Sequence, residues 1–298
     1  MENKKIEKGI IIKMLSGFYY VKTPIGVITC KARGVMRKDK TTPLVGDYAE
    51  VALNDDNTGT VLKILNRKNF LTRPPVANVD KLFIVSSFAT PKPNFYIIDT
   101  LIAICEFKGI EPVLVFNKSD LGDFSDYITC YEKVGYKVIV TSVKNEVGLD
   151  KLTDEFKNSV SVLTGNSGVG KSSILNNFIE NSIKTGEVSQ KLGRGRHTTR
   201  HTQFYTLKCG GYVADTPGFS SIELEKNDYS FKENLADFFV DFSEFSNKCK
   251  FTGCSHTGEK GCEVCKAVNN GIISNTRLES YKLLFNELKD LKKWQISK

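Results

Sequence analysis

Two short motifs, and the order in which they occur, constrain this chain more than any bulk property. Gly165-Asn166-Ser167-Gly168-Val169-Gly170-Lys171-Ser172 follows an apolar run at 160–164 and leads through Ser173 into a helical pattern. With a strand entering and a helix leaving, such glycines let the backbone curl so that N–H groups point at phosphate oxygens. Lys171 would then lie against the β- and γ-phosphates, with the Ser172 hydroxyl on Mg2+. This loop alone fits a nucleotide enzyme of any base preference. Asn117-Lys118-Ser119-Asp120 lies ahead of it, directly after a strand pattern at 111–116. Its side chains therefore sit at the carboxyl end of a strand, where α/β folds bind ligands. The Asp120 carboxylate can accept hydrogen bonds from N1–H and the 2-amino group of guanine. Adenine offers neither donor there and would leave the carboxylate unpaired. Asn117 can reach both the base and the phosphate loop, and the Lys118 stem can lie over the ring. Ser142, within Thr141-Ser142-Val143-Lys144 at the end of the next strand, fits the segment that backs the base. The expected ligands are GTP and GDP.

Two further segments complete a phosphate-sensing set. Asp215-Thr216-Pro217-Gly218 ends a strand pattern at 212–214. Asp215 would hold Mg2+ through water, and the Gly218 N–H would sense the γ-phosphate. His197-Thr198-Thr199 lies where a mobile segment must bring a threonine to Mg2+, a role given to Thr199 over Thr198. Where Ras-like enzymes carry a water-orienting glutamine, this chain has Phe219, which makes no hydrogen bond through its side chain. Slow intrinsic hydrolysis follows, unless the water is positioned from elsewhere. His197 is the nearest candidate general base, and contact with solvent or RNA is its alternative use. In Ras-type chains the phosphate loop comes first and Asn-Lys-x-Asp last. Here the order is permuted, and a helix at 149–158 can join the former ends while leaving the sheet intact. The new break falls after Gly218, so loss of the γ-phosphate is expected to move the C-terminal section.

Around this centre the patterning changes twice. Runs at 10–15, 18–22, 27–32, 48–53 and 60–65, separated by turn residues, predict five short strands closing a small barrel of OB or SH3-like type. Lys31, Arg33, Arg37, Lys38 and Lys40 lie along it, as a solvated basic loop or a nucleic-acid surface. A linker is expected at 69–79. Beyond it strands alternate with helices, which means a parallel sheet covered on both faces. Asn94 is placed to cap a helix that stops before Gly109. After about residue 226 a cysteine-rich stretch is followed by an amphipathic helix at 275–294. The expected domains are 1–70, 71–224 and 225–298. The formal charge of +8 favours encounters with polyanions but does not identify one. No apolar run approaches the roughly 18 to 20 residues of a membrane span, and no signal peptide is evident, so a cytoplasmic chain without a membrane partner is expected. Nothing in the sequence demands a dimer, and a monomer is expected.

The eight cysteines divide into scattered ones and a cluster. In a reducing compartment metal binding or burial is their expected use. Cys249-x4-Cys254-x-His256-x5-Cys262 has the ligand number and softness of a structural Cys3His zinc site, with no position left open for catalysis. A rival set would use Cys265 with Cys262 as a Cys-x-x-Cys pair, and a redox role is a further alternative.

Taken together, the barrel, the NKSD, GNSGVGKSS, HTT and DTPGF segments and the Cys/Cys/His/Cys spacing resemble the ribosome small subunit-dependent GTPase A family over essentially the whole chain. The resemblance implies a multi-domain fold: an N-terminal all-β OB-type barrel, a central α/β circularly permuted P-loop GTPase and a C-terminal, mostly helical zinc-binding domain. It also implies late maturation of the small (30S) ribosomal subunit, with GTP hydrolysis stimulated by that subunit and contact with its rRNA. The family's proposed catalytic histidine falls at His197, and its single structural zinc ion at Cys249, Cys254, His256 and Cys262. Val143 departs from the alanine usual after the serine of the backing loop. The competing readings are a GTP-gated RNA-binding module and a permuted GTPase acting on the large subunit.

Overall fold

A computed structural model describes residues 5–32, 42–54, 56, 58–72, 74–122, 125–180, 202–214 and 232–290. By internal contacts the chain divides into two compact units. One comprises Met1–Leu82, Leu149–Ser167 and Lys171–Ser221; the other comprises Phe83–Gly148, Gly168–Gly170 and Ile222–Lys298.

The first unit opens with strands β1 (Ile6–Leu15), β2 (Phe18–Thr23), β3 (Gly26–Ala32), β4 (Tyr48–Leu53) and β5 (Thr58–Ile64). They close a barrel in the order β1-β2-β3-β5-β4, with β3 and β5 parallel and the other pairs antiparallel. This is the five-stranded Greek-key barrel of OB type. Alternation places Ile11, Val21, Ile28, Cys30, Ala49, Val51 and Val61 inside it. The expected linker instead contains two short strands, β6 (Phe70–Leu71) and β7 (Val76–Ala77), paired antiparallel. They are held by side chains that amphipathic periodicity does not register. Asp47 is fully buried and receives Arg67 through two hydrogen bonds of 2.6 and 2.7 Å, while the Leu44 N–H donates to it at 2.7 Å. Asn78 donates to the Gly46 carbonyl at 2.9 Å. Gly46 has φ +92°, and a Cβ there would stand 2.1 Å from the Ala77 carbonyl oxygen, so no other residue fits this crossing.

Also in the first unit, β11 (Val160–Thr164) pairs parallel with β13 (Tyr212–Ala214), which pairs antiparallel with β12 (Phe204–Thr206). Helix α3 (Leu149–Phe156) ends earlier than its apolar pattern predicts, at a turn where Asn158 takes φ +55°. Its Phe156 packs on Phe178 of α4 (Lys171–Phe178), with ring centroids 5.1 Å apart.

The second unit carries the strand order β10-β9-β8, from β8 (Lys81–Ser87, whose first residues belong to the first unit), β9 (Glu111–Asn117) and β10 (Lys137–Val140). β9 and β10 are parallel. Helix α1 (Phe95–Lys108) starts at Asn94, whose side chain accepts the Ile97 N–H, and stops at Gly109 with φ +62°. Helix α2 (Ser125–Val134) lies between β9 and β10 in the chain. The C-terminal part adds short 3-10 turns, α5 (Ser243–Ser246), α6 (Glu263–Asn269) and α7 (Asn275–Lys289). Its core is continuous with α1, as Ala103 and Ile104 pack with Phe239, Phe242, Leu278, Tyr281 and Leu284. Arg277 is buried there and donates to Asp99 of α1 at 2.8 Å and to Asp241 at 2.6 Å. Among the described residues no helix is long and apolar enough to cross a membrane.

Candidate functional site

The residues expected to read guanine are held by contacts within their own unit. β9 delivers Asn117, 2% exposed, into contact with the loop at Gly168–Gly170. Its Nδ2 donates to the Val169 carbonyl at 2.9 Å, and its Oδ1 accepts from the Thr141 hydroxyl at 3.1 Å. The two partners together set which way the amide points. Gly170, at φ +100°, lies so close that a Cβ would meet Asn117 Nδ2 at 2.2 Å. The motif's last glycine is therefore required by this contact as well as by its backbone angle. Lys118 takes φ +63° and donates to the Gly168 carbonyl at 2.7 Å. Ser119 starts a 3-10 turn, and its N–H is bonded to the Thr141 carbonyl at 3.0 Å. Asp120 is exposed, and its Oδ1 accepts from the Ser142 hydroxyl at 2.7 Å. That hydrogen bond leads the causes holding its carboxyl below the usual range, so it stays an acceptor. Such a carboxylate can take two guanine donors and repel a base that offers lone pairs instead.

The phosphate loop leaves β11 at Gly165, with φ +141°, and passes through Asn166 and Ser167 to the helix α4, which starts at Lys171 with Ser172 and Ser173 in its first turn. Lys171 Nζ turns back over the loop, donating to the Gly165 carbonyl and, at 2.7 Å, to the Asn166 carbonyl. Burial pulls its ammonium down to about 8. A polyphosphate placed on the helix N-terminus would reverse that pull by adding negative charge.

In the C-terminal part the structure brings together Cys249, Cys254, His256 and Cys262, with donor atoms all within 4.8 Å of one another. His256 Nδ1 lies 3.6 Å from Cys249 Sγ and 3.5 Å from Cys262 Sγ, and the two sulfurs are 4.0 Å apart. Tetrahedral zinc, with bonds of about 2.3 Å to sulfur and about 2.0 Å to nitrogen, needs donors roughly 3.5 to 3.8 Å apart. The two His256–sulfur separations match that spacing, and the donor set fits such an ion in number and softness. The Glu263 and Cys265 N–H groups point at the Cys249 and Cys262 sulfurs, each at 3.4 Å, as thiolates require. Burial pushes the Cys254 thiol up to about 12 and Cys262 up to about 11, so a metal would bind by displacing protons. Cys265 Sγ turns instead to the His256 carbonyl, 3.7 Å away, outside the set.

His197, Thr198, Thr199, Asp215, Gly218 and Phe219 lie outside the described residues, as do Arg33, Arg37, Lys38 and Lys40. Thr141 was not singled out from the sequence, although it orients Asn117. Its signal was its place at the carboxyl end of β10 beside Ser142, where a buried hydroxyl needs a partner.

Comparison with known proteins identifies the family. The family model described as RsgA GTPase matches residues 64–225, and that described as RsgA N-terminal domain matches residues 8–61. A small ribosomal subunit biogenesis GTPase RsgA from Caldanaerobacter subterraneus subsp. tengcongensis is 45% identical over 290 residues, covering 96% of this chain and 97% of the relative. One of the same description from Bacillus velezensis is 43% identical over 295 residues, covering 96% and 98%. Among solved structures, YjeQ from Thermotoga maritima superposes with a TM-score of 0.80 at 34% identity, covering 97% of this chain and 100% of that one. YloQ, described as a circularly permuted GTPase, gives 0.77 at 34% identity, covering 98% of each.

Proposed function

Because the chain belongs to the RsgA GTPase family, we propose that this GTP hydrolase acts in late maturation of the small ribosomal subunit, which stimulates its GTPase activity. The observation that carries the reading is the assembled guanine loop. Asn117 is locked between Val169 and Thr141, and Asp120 accepts from the Ser142 hydroxyl.

In this reading Asp120 and Asn117 select guanine, Lys118 lies over the base, and Ser119 and Ser142 shape the loop. Gly165, Asn166, Ser167, Gly168, Val169 and Gly170 present backbone N–H groups to the phosphates. Lys171 leaves the carbonyls of its own loop for the β- and γ-phosphates, and Ser172 and Ser173 start the helix beneath them. Mg2+, when bound, would supply neutralisation of phosphate charge, and Ser172, Thr199 and Asp215 are the residues that would hold it. Gly218 senses the γ-phosphate. His197 orients or deprotonates the attacking water, a task Phe219 cannot perform.

A structural zinc ion on Cys249, Cys254, His256 and Cys262 stabilises the fold of the C-terminal domain, 225–298, which follows the GTPase domain, 71–224. The barrel, 1–70, contacts rRNA. Support for that contact comes from two cross-strand pairs. Lys13 Nζ lies 5.5 Å from the Tyr20 ring centroid and Lys31 Nζ lies 5.2 Å from that of Phe18. Phe18 and Tyr20 are two residues apart on β2 and so share a face. Half-exposed rings beside ammonium groups suit stacked bases and a phosphate backbone. The protein works as a cytoplasmic monomer.

Steady-state GTP hydrolysis, measured alone and with purified small or large subunits, tests the proposal. Stimulation by small subunits only is expected; equal rates under all three conditions would overturn it.

A further inference from the structure

Between Cys254 and Cys262 the chain has one acidic residue, Glu259. Its carboxylate does not join the cluster of cysteine sulfurs and the His256 nitrogen. It turns to the backbone on both sides of His256. Oε1 accepts the Ser255 N–H at 2.8 Å and also the Ser255 hydroxyl. Oε2 accepts the N–H groups of Thr257 at 2.9 Å and Gly258 at 3.1 Å. The Glu259 carbonyl in turn accepts the Cys262 N–H at 3.1 Å. One residue thus fixes the backbone around the histidine and the approach to the next cysteine.

This loop needs such a hold. His256 takes φ +56°, a left-handed conformation that an L-residue with a ring side chain adopts only when its surroundings impose it. With the N–H groups before and after it gathered on one carboxylate, His256 is turned so that Nδ1 faces Cys249 and Cys262. The ring is enclosed by Phe242 and Tyr281, with centroids 6.3 and 6.2 Å away. Three thiolates and an imidazole already complete a tetrahedral shell and leave it net negative around a divalent ion, so a further carboxylate ligand has no place in it.

We propose that Glu259 is a positioning residue for the metal, folding the segment 255–258 so that His256 meets the three cysteines without itself ligating. The inference rests on the zinc reading given above. Residues that orient ligands from outside the shell typically contribute about 10- to 100-fold in metal affinity.

The test uses the full chain, with zinc affinity measured by competition against a chromophoric chelator and the ligand set read from the absorption of the cobalt-loaded protein. In Glu259→Gln the amide nitrogen cannot accept, so the pair of hydrogen bonds on one atom is lost. Zinc affinity should fall about 10- to 100-fold, while the cobalt bands keep the shape given by three sulfurs and one nitrogen. Glu259→Asp keeps the charge on a shorter stem and should lose less. Glu279→Gln, which alters a carboxylate paired with Lys282 on α7, should leave affinity unchanged. An affinity in Glu259→Gln within about twofold of wild type would overturn the proposal. So would a cobalt spectrum altered in the way that loss of an oxygen ligand predicts. A wild-type chain that takes up neither metal would overturn the zinc reading, and this inference with it.

Discussion

Arg277→Met removes a cation that two buried carboxylates share. The Arg277 and Asp99 side chains are each 1% exposed and that of Asp241 is 8% exposed. The guanidinium donates to Asp99 at 2.8 Å and to Asp241 at 2.6 and 3.2 Å, and it lies 4.7 Å from the Phe239 ring centroid. Methionine fills most of the volume but leaves both carboxylates without a counter-charge. Breaking a buried pair in this way costs about 3–5 kcal/mol. At roughly 2–4 °C per kcal/mol for a chain of this order of size, the unfolding temperature should drop by about 10 °C. The pH dependence gives a second, independent sign. Burial already pushes the Asp99 carboxyl up, with Arg277 and the hydroxyls of Ser280 and Tyr131 opposing it. Without Arg277 its folded value rises further above the unfolded one. A carboxyl raised on folding contributes stability that is present below its unfolded pKa and lost as pH rises through the folded value. The deficit of Arg277→Met should therefore be larger at pH 8 than at pH 5. Adding Asp99→Asn and Asp241→Asn to the Arg277→Met variant should recover part of it, because neither amide needs a cation. Thermal unfolding followed by circular dichroism at the two pH values reads all three effects. A shift under about 2 °C at pH 8, or a deficit that grows on acidification, would refute the reasoning.

Gly170→Ala should weaken GDP binding roughly 10- to 100-fold by titration with a fluorescent analogue, because its Cβ would meet Asn117 Nδ2 and the backbone angle is unsuited to alanine. GDP affinity should fall as pH rises past about 8, by about tenfold between pH 7 and 9, since binding requires the Lys171 ammonium that burial has made easier to deprotonate. Lys171→Met should bind weakly and with a flat profile over that range. Asp47→Ala strands the Arg67 guanidinium and the Leu44 N–H, and should lower stability to urea by about 3 kcal/mol while leaving nucleotide affinity unchanged.

What could be read from the sequence was local chemistry. The phosphate loop and the Cys/His spacing hold their partners nearby in the chain, so the string of letters carries the geometry; NKSD is legible as a string, although Asn117 meets Val169 and Thr141 from 52 and 24 residues away. The Asn94 cap and the Gly109 stop were legible for the same reason. The barrel strands were visible through their period of two, but strand order was not, because β3 and β5 pair across an intervening strand. Helix α2 carries little signal in the sequence: among its described side chains Ile128 and Tyr131 are the buried ones on a largely polar segment, too few to mark an amphipathic face. β6 and β7 are only two residues each and are held by Asp47, Arg67 and Asn78 rather than by a pattern of their own. Arg277 lies next to Leu278 in α7, and nothing in its local sequence marks it as buried. Its burial depends on Asp99, 178 residues earlier in the chain, and no local rule reports such a pairing.

Nucleotide-dependent co-sedimentation with purified ribosomal subunits tests the central claim most directly. With a non-hydrolysable GTP analogue the protein should pellet with small subunits and not with large ones, and with GDP it should stay in the supernatant. Association with large subunits, or pelleting with small subunits that is the same under analogue, GDP and no nucleotide, would contradict the account.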